Sequence, residues 1–189
     1  GQNGIDATAG RELVKTDKSI ASMPLAAPTE VRNNGSGSLY AVVSQSYTPG
    51  KGEETEAANG IRIDVRYTNM DGAAIDPASI RVSTDFYAIV TVSNKSGYER
   101  YADLALTHIF PAGWEITSER DLSSLTYQDI RDDRVLSYFD LSRGESKEIP
   151  VKLTATYKGR YYLPSVYCEA MYDNAVRALK KGQWVEVVD

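Results

Sequence analysis

His108 is the one histidine and Cys168 the one cysteine of this chain. Acid–base, nucleophilic and zinc chemistry each need such groups in company. A zinc site needs several His or Cys ligands at short spacings, and His108 has no second His or Cys near it in sequence. A nucleophile needs a base and an orienting group, and neither Cys168 nor any serine lies in a pattern such as Gly-x-Ser-x-Gly. The acidic group Asp129, Asp132 and Asp133 is interleaved with Arg131 and Arg134, which reads as a charge-paired corner. Paired glycosidase carboxylates need a cleft and a raised pKa, and a Ca²⁺ loop needs the Asp-x-Asp-x-Asp-Gly pattern; neither sign is present. Asn34-Gly-Ser36 and Asn94-Lys-Ser96 match glycosylation sequons, which matter only in a eukaryotic secretory setting. These residues therefore point to recognition or shielding and not to catalysis, with no cofactor and no metal expected.

A net charge of −5 and a pI near 5.0 argue against nucleic acid as a partner, because a polyphosphate needs clustered cations on one face. Arg177, Lys180 and Lys181 make only a small basic patch, expected to be a solvated edge. One cysteine forms no internal disulfide, so it does not report the redox compartment. No run approaches the roughly 18 apolar residues of a membrane helix, and no charged-then-apolar leader opens the chain. Gly1 reads as a cleavage point, and the chain as the end of a longer one.

The elements that must carry these residues read as strands. With 189 residues there is room for one domain of ordinary size and a smaller unit. Thirteen tyrosines against three phenylalanines suit half-buried pleated surfaces. Residues 1–38 read as irregular or extended, Leu39–Tyr47 as a strand, and the glutamate-rich stretch 50–60 as a linker. Ile61–Tyr67 alternates apolar and charged, the pattern of a strand with one wet face, and 69–72 is a turn. Asp85–Asn94 is nearly continuously apolar in its middle, as a central strand is. Leu104–Phe110 is another strand, broken by Pro111-Ala-Gly113 at a bulge or corner and resumed at Trp114–Ile116. Leu125–Arg134 reads as a helical turn with Leu125 and Ile130 inward. Val135–Leu141, Lys147–Tyr157, Arg160–Tyr172 and Gln183–Val188 complete the set, with Lys158-Gly159 as a tight hairpin turn. Short strands at turn-punctuated spacing predict an all-β, immunoglobulin-like antiparallel sandwich preceded by a partial β unit.

Four segments carry a family resemblance. They are Phe110-Pro-Ala-Gly-Trp-Glu-Ile116, Ile130-Arg-Asp-Asp-Arg134, Leu163-Pro164 and Ala170-Met-Tyr-Asp-Asn-Ala-Val-Arg-Ala178. In order and spacing they resemble the last macroglobulin-like domain, of the MG10 type, of the bacterial alpha-2-macroglobulins, over roughly residues 56–189. His108 departs from that pattern, which often has Asp there.

The resemblance implies a macroglobulin-like sandwich over 56–189, with 1–55 as part of a CUB-like β segment and its linker. It implies a non-enzymatic endopeptidase inhibitor of the periplasm or cell envelope, lipid-anchored through an upstream segment. The module's partners would be other domains of its own chain, and target proteases would be met by the full-length protein. The family's reactive thioester joins a Cys to a Gln three residues later. Met171 stands three residues after Cys168, so any thioester would lie upstream and Cys168 would be an interior strand residue. The resemblance singles out Met171 and Tyr172 as the pair that docks on the thioester domain and shields the bond from water and amines. The alternative for this pair is a plain strand end in the sandwich core. The alternative for the whole chain is a surface adhesion or carbohydrate-binding sandwich, with exposed tyrosines and Trp114 or Trp184 as stacking platforms.

Overall fold

The computed structural model describes residues 50–94, 97 and 100–189, the isolated positions 38, 40, 42 and 48, and the backbone of three N-terminal strands. The chain divides into two compact units, Gly1–Tyr47 and Thr48–Asp189. In the first, β1 (Ile5–Ala9), β2 (Glu12–Thr16) and β3 (Thr29–Asn33) form an antiparallel sheet in the order β2-β1-β3. A sheet thus stands in a region whose sequence reads as irregular or extended, because strands of five residues are too short to show a sustained period. The strand expected at Leu39–Tyr47 lies mostly outside the described residues. Its two described positions, Tyr40 and Val42, are exposed and outside any strand.

In the second unit every regular element among the described residues is a strand. These are β4 (Ala57–Asn59), β5 (Ile61–Asn69), β6 (Ser79–Arg81), β7 (Thr84–Asn94), β8 (Arg100–Ile109), β9 (Trp114–Ile116) and β10 (Tyr127–Ile130). They continue as β11 (Arg134–Ser142), β12 (Ser146–Ala155), β13 (Gly159–Leu163), β14 (Val166–Ala170), β15 (Asp173–Lys180) and β16 (Gln183–Val188). A six-stranded sheet in the order β10-β11-β8-β14-β15-β4 and a four-stranded sheet β5-β7-β12-β9 form the sandwich; a smaller sheet β13-β16-β6 completes it.

Period-two alternation builds the interior. Ile61 and Ile63 of β5 turn inward while Arg62 and Asp64 stay in solvent as an ion pair. Phe86, Ala88, Val90 and Val92 of β7 are fully buried between β5 and β12, as a central strand requires. One core cluster joins β5, β7 and β12 to β8, β11, β14 and β15 through Val90, Val92, Leu104, Leu106, Phe139, Leu141 and Cys168, among others. A second gathers Phe86, Phe110, Trp114, Val151, Leu153 and Val185 toward the small sheet. Full burial of each large side chain contributes about 1.5–3 kcal/mol, so these rows dominate the stability.

The chain changes sheet at Pro111 and at Pro164. Pro111-Ala-Gly113 is the expected corner: β8 belongs to the six-stranded sheet, and β9 pairs with β12 in the other. Gly113 is required there, since a Cβ would lie 2.4 Å from Cε2 of Tyr161. Pro164 divides the run expected as one strand, Arg160–Tyr172, into β13 and β14, which lie in different sheets. Proline cannot donate to a ladder, and the break frees each half to find its own partner.

Two further expectations fail. Leu125–Arg134 is not helical: β10 pairs with β11, and Arg131 N–H donates to Arg134 O at 2.9 Å to close the turn. Leu125 and Ile130 still pack against the two core clusters. Lys158-Gly159 is not a hairpin turn, because β13 pairs with β16 and not with β12. It is a connection between sheets, with Gly159 at φ 147°.

Candidate functional site: the β14–β15 tip

Val166, Cys168 and Ala170 of β14 point into the sandwich, while Tyr167 and Glu169 point out and bond to each other at 2.6 Å. In the antiparallel partner β15, Val176 and Ala178 are buried. This inward row anchors the hairpin in the core. At its end the register shifts between Glu169 and Ala170, and Ala170 faces Asp173 across Met171 and Tyr172. Asp173 accepts the Ala175 N–H at 3.0 Å, and the Asn59 side-chain amide donates to Ala175 O at 2.7 Å. The tip therefore sits on a tied turn.

Met171 is 50% and Tyr172 85% exposed. They are not a strand end in the core. A thioether and a phenol ring standing in water next to an ordered backbone form a surface that gains by being covered. The backbone beneath is held from β8, where Asp103 O accepts the Met171 N–H at 3.0 Å.

The other singled-out residues are placed away from chemistry. Cys168 is wholly buried, and burial pushes its thiol up to about 12, so it is neither a thiolate nor accessible. His108 is 1% exposed between Leu106 and Phe110 on the inward row of β8, its ring 4.1 Å from that of Phe110. Neither ring nitrogen has a hydrogen-bond partner, and burial drives its pKa down to about 3. Asp129 pairs with Arg131 at 2.8 Å and Asp133 with Arg134 at 2.6 Å, on the exposed β10–β11 corner. Such exposed, solvent-screened pairs add little to stability, and they tie the Asp129 and Asp133 carboxylates to neighbouring guanidinium groups. Lys180 pairs with Glu56 at 2.9 Å. Asn34 lies outside the described residues; Asn94 is fully buried and its side-chain nitrogen donates to Ser142 O at 3.1 Å, which rules out a glycan there. Among the described residues no three His, Cys, Asp or Glu side chains gather as a metal site.

Trp114 is corrected as a stacking platform. It is 3% exposed and packs edge-on against Phe86 at 5.0 Å and Tyr67 at 6.1 Å. Trp184 is half-exposed, but the Arg160 guanidinium lies 4.8 Å and the Lys51 ammonium 5.8 Å from its ring centre, with Tyr162 edge-on beside it. A shallow cleft of about 320 Å³ between β5 and the β15–β16 connection is lined by apolar Val65, Tyr67, Ile75 and Leu163 and by charged Arg66, Asp76, Lys180 and Lys181.

Sequence reasoning missed what lies under the tip. Arg100, Asp103 and Asp140 form a linked set there, and their separation along the chain leaves no local signal of it.

Known proteins share this fold. A family profile, the bacterial alpha-2-macroglobulin MG10 domain, matches residues 60–174. An alpha-2-macroglobulin of Pasteurella multocida is 28% identical over 158 residues, covering 80% of this chain and 8% of its own. An alpha-2-macroglobulin homolog of Yersinia pestis is 25% identical over 183 residues, covering 82% of this chain and 9% of its own. This chain thus spans less than a tenth of those relatives. A crystal structure of Salmonella alpha-2-macroglobulin reacted with methylamine shares the fold, with a TM-score of 0.71 at 19% identity over 99% of this chain and 13% of that one. Native Escherichia coli alpha-2-macroglobulin from domain MG7 to the C-terminus gives a TM-score of 0.63 at 15% identity, over 100% of this chain and 33% of that one. The profile match covers well over half of the 189 residues, in the sandwich whose four signature segments the structure brings into one fold: this chain belongs to the bacterial alpha-2-macroglobulin MG10 domain family.

Proposed function

We propose that this chain is a non-enzymatic C-terminal module of a bacterial alpha-2-macroglobulin-like protease inhibitor, and that its Met171–Tyr172 tip docks on the thioester domain of the same chain and shields the bond. The observation that carries this reading is the exposure of both side chains, 50% and 85%, at the end of a hairpin whose inward row is fully packed. An acyl thioester persists only where water and amines are excluded. A flexible thioether beside a planar ring adapts to such a surface, and the stiff hairpin keeps the pair from collapsing onto its own domain.

In this mechanism a protease cleaves an upstream bait segment and the tip leaves its seat. A nucleophilic amine then bonds to the acyl carbon, the sulfur departs as thiolate and takes up a proton, and an amide and a free thiol remain. The related Salmonella protein was reacted with methylamine, and Escherichia coli alpha-2-macroglobulin is activated by trypsin and by porcine elastase. Both facts support the same chemistry upstream of this module. The reading carries with it residence in the periplasm or cell envelope on a lipid-anchored chain. It also takes the first unit as part of a CUB-like β segment, with the macroglobulin domain beginning near residue 56.

Methylamine incorporation into the full-length protein tests the shield. Without protease, the double variant Met171→Ala, Tyr172→Ala should incorporate amine at a rate approaching that of protease-treated wild type. Equal slow rates in variant and wild type would refute the shield. No incorporation in any sample, protease-treated ones included, would make the module a structural cap on a trap without a thioester.

A further inference from the structure

Two irregularities in adjacent strand pairs of the six-stranded sheet, a bulge between β11 and β8 and a register shift between β14 and β15, converge beneath the Met171–Tyr172 tip. Phe139 of β11 faces Leu104 of β8 and Leu141 faces Tyr101, so the single Asp140 stands opposite two residues of β8, Ala102 and Asp103. Within this bulge Asp103 adopts φ 53°, a left-handed conformation uncommon outside glycine but tolerated better by Asp and Asn than by other residues. At the end of β14 the register shifts again, between Glu169 and Ala170. A β-bulge re-aims a side chain, and each of these re-aims a group toward the next.

The links are explicit. The Asp140 carboxylate accepts the Asp103 N–H at 2.9 Å through one oxygen and pairs with the Arg100 guanidinium through the other. The Asp103 carbonyl accepts the Met171 N–H at 3.0 Å. The Arg100 and Asp140 side chains are 63% and 37% exposed, so their ion pair alone adds little stability. The bond from Asp140 to the Asp103 amide is of a different kind, because it holds the left-handed backbone in the orientation that points its carbonyl at the tip. A simple edge irregularity would leave Asp103 free to relax into the β region, and then Met171 would have no partner in β8.

We propose that Asp140 is a positioning residue for the Met171–Tyr172 tip, acting through the left-handed Asp103 to fix the Met171 backbone. This inference rests on the tip being the functional surface. Asp140→Ala removes the acceptor, releases Asp103 and lets the tip swing. Asp140→Asn keeps an oxygen for the Asp103 N–H and loses only the charge. Asp103→Gly takes the left-handed conformation without strain, so adding it to Asp140→Ala restores much of the geometry.

The test is amide hydrogen exchange in the full-length protein. Asp140→Ala should speed exchange at Met171 on the order of ten-fold, the effect of losing one charge-assisted hydrogen bond, while Val90 and Val151 amides in the opposite sheet keep wild-type rates. Asp140→Asn should stay near wild type, and Asp103→Gly should recover most of the loss in the Asp140→Ala background. An unchanged Met171 rate in Asp140→Ala would overturn the proposal, as would an equal acceleration at Val90 and Val151, which would mark general destabilisation. Oxidative labelling of the tip, run on the same variants, separates the two readings. If Met171 exchange responds as expected while the tip of the wild type is never covered in the full-length protein, Asp140 still positions the tip and the docking reading fails.

Discussion

Lowering the pH from 7 to 5 protonates the unfolded chain at His108 but not the folded one. The ring is buried, with no hydrogen-bond partner for either nitrogen and a pKa driven from 6.5 down to about 3. The folded pKa lies below the unfolded one, so the fold binds fewer protons, and stability is highest above pH 6.5 and falls as pH drops toward 3. At 1.36 kcal/mol per pH unit, the stability lost between pH 6.5 and 5 is about 2 kcal/mol, and the whole loss by pH 3 is about 5 kcal/mol. That is a large part of a domain's usual 5–15 kcal/mol. Carboxylates held below their usual range by partners act in the same sense but lower down: Asp133 beside Arg134, Glu56 beside Lys180 and Glu148 beside Arg66 lose their stabilising effect only as pH falls below their ordinary values of 3.8 and 4.5. The interval from pH 5 to 6.5 therefore belongs to His108, the one histidine. Denaturant titration followed by Trp114 and Trp184 fluorescence, both in the sandwich, measures it directly. Wild type should lose about 2 kcal/mol from pH 7 to 5, while His108→Leu should stay flat. The variant should match or exceed wild type at pH 7, since two unpaired buried nitrogens cost about 1–3 kcal/mol. Parallel pH slopes in the two proteins would refute the reasoning.

Cys168 should resist thiol reagents in the folded chain and label fully in denaturant, because its buried thiol ionises only near 12; rapid labelling of native protein would contradict its placement. Gly113→Ala drives a Cβ to 2.4 Å from the Tyr161 ring and should cost about 1–3 kcal/mol, most of it recovered by adding Tyr161→Leu, with denaturation midpoints as the measure. The Met171→Ala, Tyr172→Ala pair, being exposed, should change the stability of this chain by no more than about 0.5 kcal/mol. A larger change would mean that the tip supports its own domain.

The strands with one wet face were legible because their alternation is local. Ile61 and Ile63 against Arg62 and Asp64 define β5 without any knowledge of its neighbours, and the apolar middle of β7 announces a strand covered on both sides. Pro111 was legible as a break but not as a change of sheet, and Pro164 was not legible even as a break, since which sheet a strand joins depends on partners far along the chain. Leu125–Arg134 misled because Leu125 and Ile130 are five apart, a spacing that fits neither period, and pairing with β11 decided the matter. The buried state of Trp114 was hidden for a similar reason: a three-residue strand shows no alternation, and burial came from Phe86 and Tyr67 in other strands. Within the site, Met171 and Tyr172 stood out through family resemblance and not through any chemical pattern. Asp140 and Asp103 stood out through nothing, for they are 37 residues apart and meet only at the bulge between β8 and β11.

The central claim is that another surface of the full-length protein covers the Met171–Tyr172 tip until a protease acts. Oxidative labelling of Met171 and Tyr172 tests it most directly, comparing this chain alone with the full-length protein before and after proteolysis. The account predicts ready labelling in the isolated chain, where the two residues are 50% and 85% exposed, strong protection in the intact full-length protein, and recovered labelling after cleavage. Equal labelling in all three states would contradict it.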